Sequence, residues 1–172
     1  MLFMSQYQDK ERRIMGYVVK LDTTRTKRKE NGMVVVTGAP GSGKSTYVRD
    51  KADSTDMIYD FDEIAKAISN MGNRDERPEW AYAIVHMMRG MIAEYRGPTQ
   101  LWMVGTMPSA WEKRYYAKRY NAKIYVIDPG IDKVKQQLQA DKTRPNKTQW
   151  LSLIDKWYDE YEPYCGEFVI SV

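Results

Sequence analysis

The sequence predicts an α/β fold, a three-layer α/β/α sandwich around a mainly parallel five-stranded sheet. Three observations carry that expectation. Short apolar, β-branched runs alternate with helix-length segments along the chain. Met33–Thr37 leads through a glycine-rich loop, GAPGSGKST at residues 38–46, into a segment free of helix breakers, and a buried parallel strand reads as just such a continuous apolar run. Polar residues then recur just after strands, at Asp60, Asp62, Thr106 and Asp128, and in open α/β sheets ligands bind beyond the carboxyl ends of the strands.

Each element follows from local chemistry. Residues 1–13 read as a polar arm or short helix, and 16–21 (GYVVKL) as a possible extra N-terminal strand. Asn31-Gly32 is a turn signal before the Met33–Thr37 strand. A helix over 46–52 follows the glycine loop. Met57–Tyr59 is a second strand, running into Asp60-Phe61-Asp62-Glu63, after which Ile64, Ile68 and Met71 recur at helical spacing. Residues 69–78 form a polar loop. Glu79–Tyr95 is the clearest helix, and its stripe of Ile84, Met87, Met88, Met91, Ile92 and Tyr95 reads as core, with His86 off the stripe at the surface. Gly97-Pro98 breaks the chain before a third strand, 101–104. Pro108 opens a helix running to about Tyr120. A fourth strand spans 123–127, a helix 131–140, a basic loop 141–147, a helix 148–161 and a fifth strand 168–172.

At 172 residues, one main domain is expected over 33–172, preceded by a basic N-terminal arm at 1–32. That arm holds eight Lys/Arg against four Asp/Glu, and the remainder balances at nineteen of each. The excess centres on Arg25, Lys27, Arg28 and Lys29, a run suited either to nucleic acid phosphates or to a solvated loop. The single cysteine, Cys165, excludes an internal disulfide and fits a cytoplasmic setting. The single histidine disfavours His-based zinc or Ser–His chemistry. No apolar stretch approaches the roughly 20 residues needed to cross a bilayer, and the charged N-terminus does not read as a secretion signal. Oligomeric state is not legible.

The glycine loop is G-x-x-x-x-G-K-[ST], the phosphate-binding P-loop. The candidate nucleotide-binding residues are Gly38, Ala39, Pro40, Gly41, Ser42, Gly43, Lys44, Ser45 and Thr46. Glycines let successive N–H groups turn toward a phosphate, and the next helix aims its positive end at the same anion. Lys44 is expected to reach the β- and γ-phosphates of ATP and the Ser45 hydroxyl to hold Mg²⁺. Asp60 and Asp62 alternate along an extended segment, which sends both side chains one way. One carboxylate, Asp62, would act as general base and the other, Asp60, would orient Mg²⁺-bound water. The bland reading makes Asp62 the N-cap of the next helix.

Strand–GAPGSGKST–helix–strand–DFD–helix resembles the small P-loop kinases: phage polynucleotide 5′-hydroxyl kinases, zeta-toxin-like kinases and shikimate-kinase-like enzymes. The resemblance spans roughly 33–161 and implies the P-loop NTPase fold, with Asp62 matching the family's general base. It also implies a lid around 131–148, whose Lys142, Arg144 and Lys147 sit between two helices; Arg144 is the best match to a cation that stabilises the transferring phosphoryl group. Arg74 and Arg77 fall in the loop where such kinases bind the acceptor. The chain departs from the polynucleotide kinases at Ala65, where they have an arginine, and at Gly105-Thr106, where they have an aspartate. Helix 111–120 interleaves Lys113, Arg114, Lys118 and Arg119 with aromatic rings. That pattern suits single-stranded nucleic acid, or a helix with Trp111 and Tyr115 packed inward. The expected activity is transfer of the ATP γ-phosphate to a nucleic acid end or nucleotide. The alternatives are an ATPase or nucleotide-gated DNA- or protein-binding module, and a P-loop protein without turnover.

Overall fold

The computed structural model describes residues 12–14, 17–19, 32–95, 97 and 99–171. Five strands form one sheet in which every neighbouring pair is parallel: β3 (Met33–Thr37), β4 (Met57–Tyr59), β5 (Leu101–Val104), β6 (Lys123–Ile127) and β7 (Glu167–Ile170). Their order is β4-β5-β3-β6-β7. The P-loop strand β3 is therefore central, with Val35 opposite Met103 on one side and Ile124 on the other. All five of its residues are buried, as a strand covered on both faces requires.

Alternation along β3 divides the core. Val34 and Val36 pack with Val48 of α1 (Lys44–Lys51), together with Trp102, Val104 and Ile127. Met33 and Val35 face the other way, toward α2 (Phe61–Ile68), α3 (Glu79–Ala93) and α4 (Ala110–Tyr120), through Ala65, Val85 and Tyr116. A third cluster joins Ala39 of the loop and Val126 to α5 (Ile131–Ala140) and α6 (Lys147–Glu160), through Val134, Leu138, Trp150 and Ile154. The expected three-layer parallel α/β architecture is present.

Near the N-terminus, β2 (Tyr17–Val19) lies inside the expected extra strand. It pairs antiparallel with β1 (Arg12–Ile14) in a separate two-stranded sheet, where a polar arm or short helix was expected. Arg25, Lys27, Arg28, Lys29, Asn31 and Pro98 lie outside the described residues.

Three side-chain expectations are overturned. The large apolar stripe of α3 is largely exposed: Met87 is 60% and Met91 75% accessible. The helix instead buries Ala81, Val85 and Ala93, because small side chains let it approach the sheet closely. Asp62 neither lies in an extended segment nor caps the helix: Asp60 is the N-cap, accepting from the Asp62 N–H at 3.1 Å, and Asp62 sits in the first turn of α2. On α4 the burial is reversed. Trp111 is 69% exposed and stacks on the exposed Tyr115, while Lys113 is fully buried. Its ammonium lies 2.8 Å from the Glu167 carboxylate and donates to the Glu162 carbonyl at 2.6 Å. Lys113 is thus an internal ion pair and not a surface cation, because its stem fills core space and its head finds partners there. Arg114 and Lys118 are exposed, and Arg119 pairs with Glu94 at 3.2 Å.

Candidate active site

The P-loop leaves β3 with Gly38 at φ +151°, pressed so closely against the end of β6 that a Cβ there would stand 2.4 Å from the Ile127 carbonyl oxygen. Gly43 caps α1 at φ +95°, a conformation glycine adopts without steric cost. The loop and the edges of β4 and β5 open onto a cavity of about 760 Å³. Pro40, Gly41, Gly43, Lys44, Ser45 and Thr46 line it. Gly38, Ala39 and Ser42 form the buried back of the loop. The Ser42 hydroxyl is buried there without a hydrogen-bond partner.

Lys44 begins α1 and folds back over the loop. Its amine donates to the carbonyls of Gly38 at 2.9 Å and Ala39 at 2.6 Å. Burial first, then the nearby Arg144 cation, brings its pKa down to about 7. Burial, aided by Arg144 and opposed by Asp60 and Asp62, thus discourages the lysine from ionising, and an anion placed against its nitrogen would favour the charged form. The Ser45 hydroxyl donates to Asp60 Oδ2 at 2.5 Å. Hydroxyl and carboxylate together form a hard oxygen pair of the kind Mg²⁺ prefers. Among the described residues no group of three or more His, Cys, Asp or Glu gathers as a metal cluster, so an ion at this pair would complete its shell with phosphate oxygens and water.

Asp62 lines the same cavity. Arg74 donates to its Oδ2, and Arg77 Nη2 lies 2.5 Å from its Oδ1. Both arginines come from the loop between α2 and α3. Arg144 lines the cavity from the α5–α6 loop, pairs with Asp141, and lies 4.9 Å from the centre of the Trp150 ring. Burial first, then Arg74, depresses its pKa. Of the other lid cations, Lys142 is exposed. Lys147 donates to the carbonyls of Leu138 and Asp141, capping α5, so its part is structural. Thr106 lines the cavity. Asp128 does not: it accepts from the Tyr158 hydroxyl at 2.7 Å and the Gly130 N–H at 3.0 Å, fastening α6 to the end of β6.

Two features were missed in the sequence. The first is a tie between the 69–78 loop and the lid. Asp75 accepts from the Asn146 N–H at 2.7 Å and from Trp150 Nε1 at 2.6 Å, while the Arg74 N–H donates to the Thr143 carbonyl at 2.8 Å. Trp150 carries Arg77 at 5.3 Å as well as Arg144. No local pattern announces a contact between residues so far apart in the chain. The second is an aromatic wall of Phe61, Tyr82 and His86. The sequence carries a signal for it: Tyr82, His86 and Arg89 recur at i, i+4 and i+7 on α3, opposite to the methionine stripe.

The central strand, the all-parallel sheet and the glycine loop place a G-x-x-x-x-G-K-S sequence at the mouth of a cavity on an α/β sandwich. No family model and no curated protein matches the chain. Among solved structures, a chain in the Pnkp1/Rnl/Hen1 RNA repair complex aligns at TM-score 0.52 with 14% identity over 77% of this chain. The match spans 46% of that chain's length. Shikimate kinase from Bacteroides thetaiotaomicron aligns at TM-score 0.49 with 17% identity, over 81% of this chain and 85% of that one. The alignment with the RNA repair complex chain shows a shared fold.

Proposed function

We propose that the chain is an ATP-dependent phosphotransferase that moves the γ-phosphate to a hydroxyl or phosphate of a nucleic acid end or nucleotide. The observation that carries this reading is the gathering of Lys44, Asp62 and Arg144 around one cavity. In this reading Lys44 leaves the loop carbonyls for the β- and γ-phosphates. Ser45 and Asp60 would hold Mg²⁺, which supplies charge neutralisation on those phosphates. An acceptor hydroxyl displaces one arginine from Asp62 and hydrogen-bonds to the freed oxygen. As the acceptor oxygen bonds to the γ-phosphorus, its proton passes to Asp62, and the bond to the bridging oxygen breaks with its electron pair leaving on ADP. Arg144 offsets the charge on the phosphoryl group in flight. The neighbour from an RNA repair complex is compatible with a nucleic acid acceptor.

The test is an acceptor screen with γ-labelled ATP, using 5′-hydroxyl DNA and RNA, nucleosides, nucleotides and small hydroxyl metabolites. Transfer is expected to a nucleic acid end or nucleotide. Asp62→Asn should lose at least about a hundredfold in kcat with ATP affinity retained, as loss of a general base predicts. Phosphate release without any labelled acceptor would replace this reading with an ATPase.

A further inference from the structure

We propose that the wall formed by Phe61, Tyr82 and His86 is the acceptor's base-binding subsite: a shelf on which the base of the hydroxyl-bearing nucleotide stacks, with Arg77 and Arg89 taking the oxygens of its phosphate. This rests on the phosphotransferase reading and names the part of the acceptor that the same cavity selects.

The three rings form one contiguous cluster. Phe61 lies 5.1 Å from Tyr82 and 5.6 Å from His86, and Tyr82 and His86 stack with 29° between their planes. All three line the cavity, and Tyr82 remains 45% exposed. Rings that keep an exposed face inside a polar cavity have surface to offer a planar partner. A hydroxy acid with a saturated ring has no π-face for such a shelf, whereas every nucleobase has one. The shelf also touches the chemistry. Phe61 adjoins Asp62 in the chain, and Arg77 spans the two, 2.5 Å from the Asp62 carboxylate and 5.6 Å from the Phe61 ring centre.

The second observation is a deficit of acceptors. Among the described residues, the buried side-chain atoms without a hydrogen-bond partner include Nε of Arg77 and Nε of Arg89, and both residues line this cavity. A buried guanidinium N–H without a partner carries a desolvation cost that an anionic oxygen removes. With Lys44 and Arg144 given to the donor's phosphates, the Nε of Arg77, whose Nη2 stays on Asp62, and the Nε of Arg89, whose guanidinium lies over the Tyr116 ring, remain for a second anion. Planar ring and phosphate side by side describe one nucleotide.

The experiment uses the full chain and a single-stranded oligonucleotide with a 5′-hydroxyl and 2-aminopurine as its terminal base. Binding should quench the fluorescence of that base. The same probe with the fluorescent base six positions inward should respond much less. Tyr82→Leu keeps apolar bulk without the ring; combined with His86→Ala it should raise the oligonucleotide Kd about ten- to a hundredfold. Tyr82→Phe should restore most of the loss, and ATP affinity serves as the internal control for folding. Quenching without phosphate transfer would keep the subsite and remove the phosphotransferase reading. Transfer with an unchanged Kd in the ring-removed variant would overturn the subsite and keep the phosphotransferase. Equal transfer to ring-free hydroxy acids would also overturn it.

Discussion

Nucleotide binding should draw a proton from solution, and Lys44 sets how much. In the free protein its pKa is brought down to about 7 from an ordinary 10.5, chiefly by burial and then by Arg144. At pH 8 roughly a tenth of the side chain is protonated. A triphosphate on the same nitrogen favours the charged form, so binding should take up close to one proton at pH 8, about half at pH 7 and little at pH 5.5. Affinity should then weaken by up to about tenfold per pH unit above pH 7, which is about 1.4 kcal/mol per unit. Titration calorimetry of ATP with Mg²⁺ at pH 8, in two buffers of different ionisation enthalpy, reads the proton count directly. Lys44→Met should bind more weakly and lose the uptake. The sign for stability is fixed by the same shift. Between about pH 7 and 10.5 the unfolded chain holds more protons than the folded one, so this group's contribution to the free protein's stability rises with pH across that window. Tight binding at pH 8 with less than about 0.2 proton taken up would refute a neutral, carbonyl-bound Lys44.

Gly38→Ala forces a Cβ to 2.4 Å from a carbonyl at φ +151°; it should cost about 2–5 kcal/mol in denaturant unfolding and abolish nucleotide binding. Lys113→Met leaves Glu167 buried without its cation, so a loss of about 3–5 kcal/mol is expected, largely recovered by adding Glu167→Gln; the same variant should bind nucleic acid unchanged, since Lys113 never reaches the surface. Asp75→Ala unties the Asn146 N–H and the Trp150 ring from the 69–78 loop. Amide exchange over 141–147 should quicken about tenfold, while exchange in β3 stays unchanged.

The glycine loop was legible because its chemistry is local. A phosphate cradle is built from consecutive backbone N–H groups, so Gly38, Gly43, Lys44 and Ser45 must be near neighbours in the chain, and their order in the sequence is their order around the loop. The strands were legible for a similar reason: β3 is buried on both faces and must be apolar at every position. Asp60 and Asp62 were found but their roles in the helix start were misread by one turn element, because alternation and an N-cap differ only in where the backbone begins to coil. The opposite wall of the cavity is made from contacts across the fold. Arg77 meets Asp62 fifteen residues away, and Asp75 meets Trp150 seventy-five residues away. Such pairs have no spacing that a sequence can display. On α3 size is no guide to burial: the large Met87 and Met91 stay exposed, and Ala81 and Val85 are buried because they are small. Once the helix is turned to bury them, Tyr82 and His86 line the cavity beside Arg77 and Arg89. The face that α3 turns to the cavity was set by the residues that let the helix pack, more than by those that stand out in the sequence.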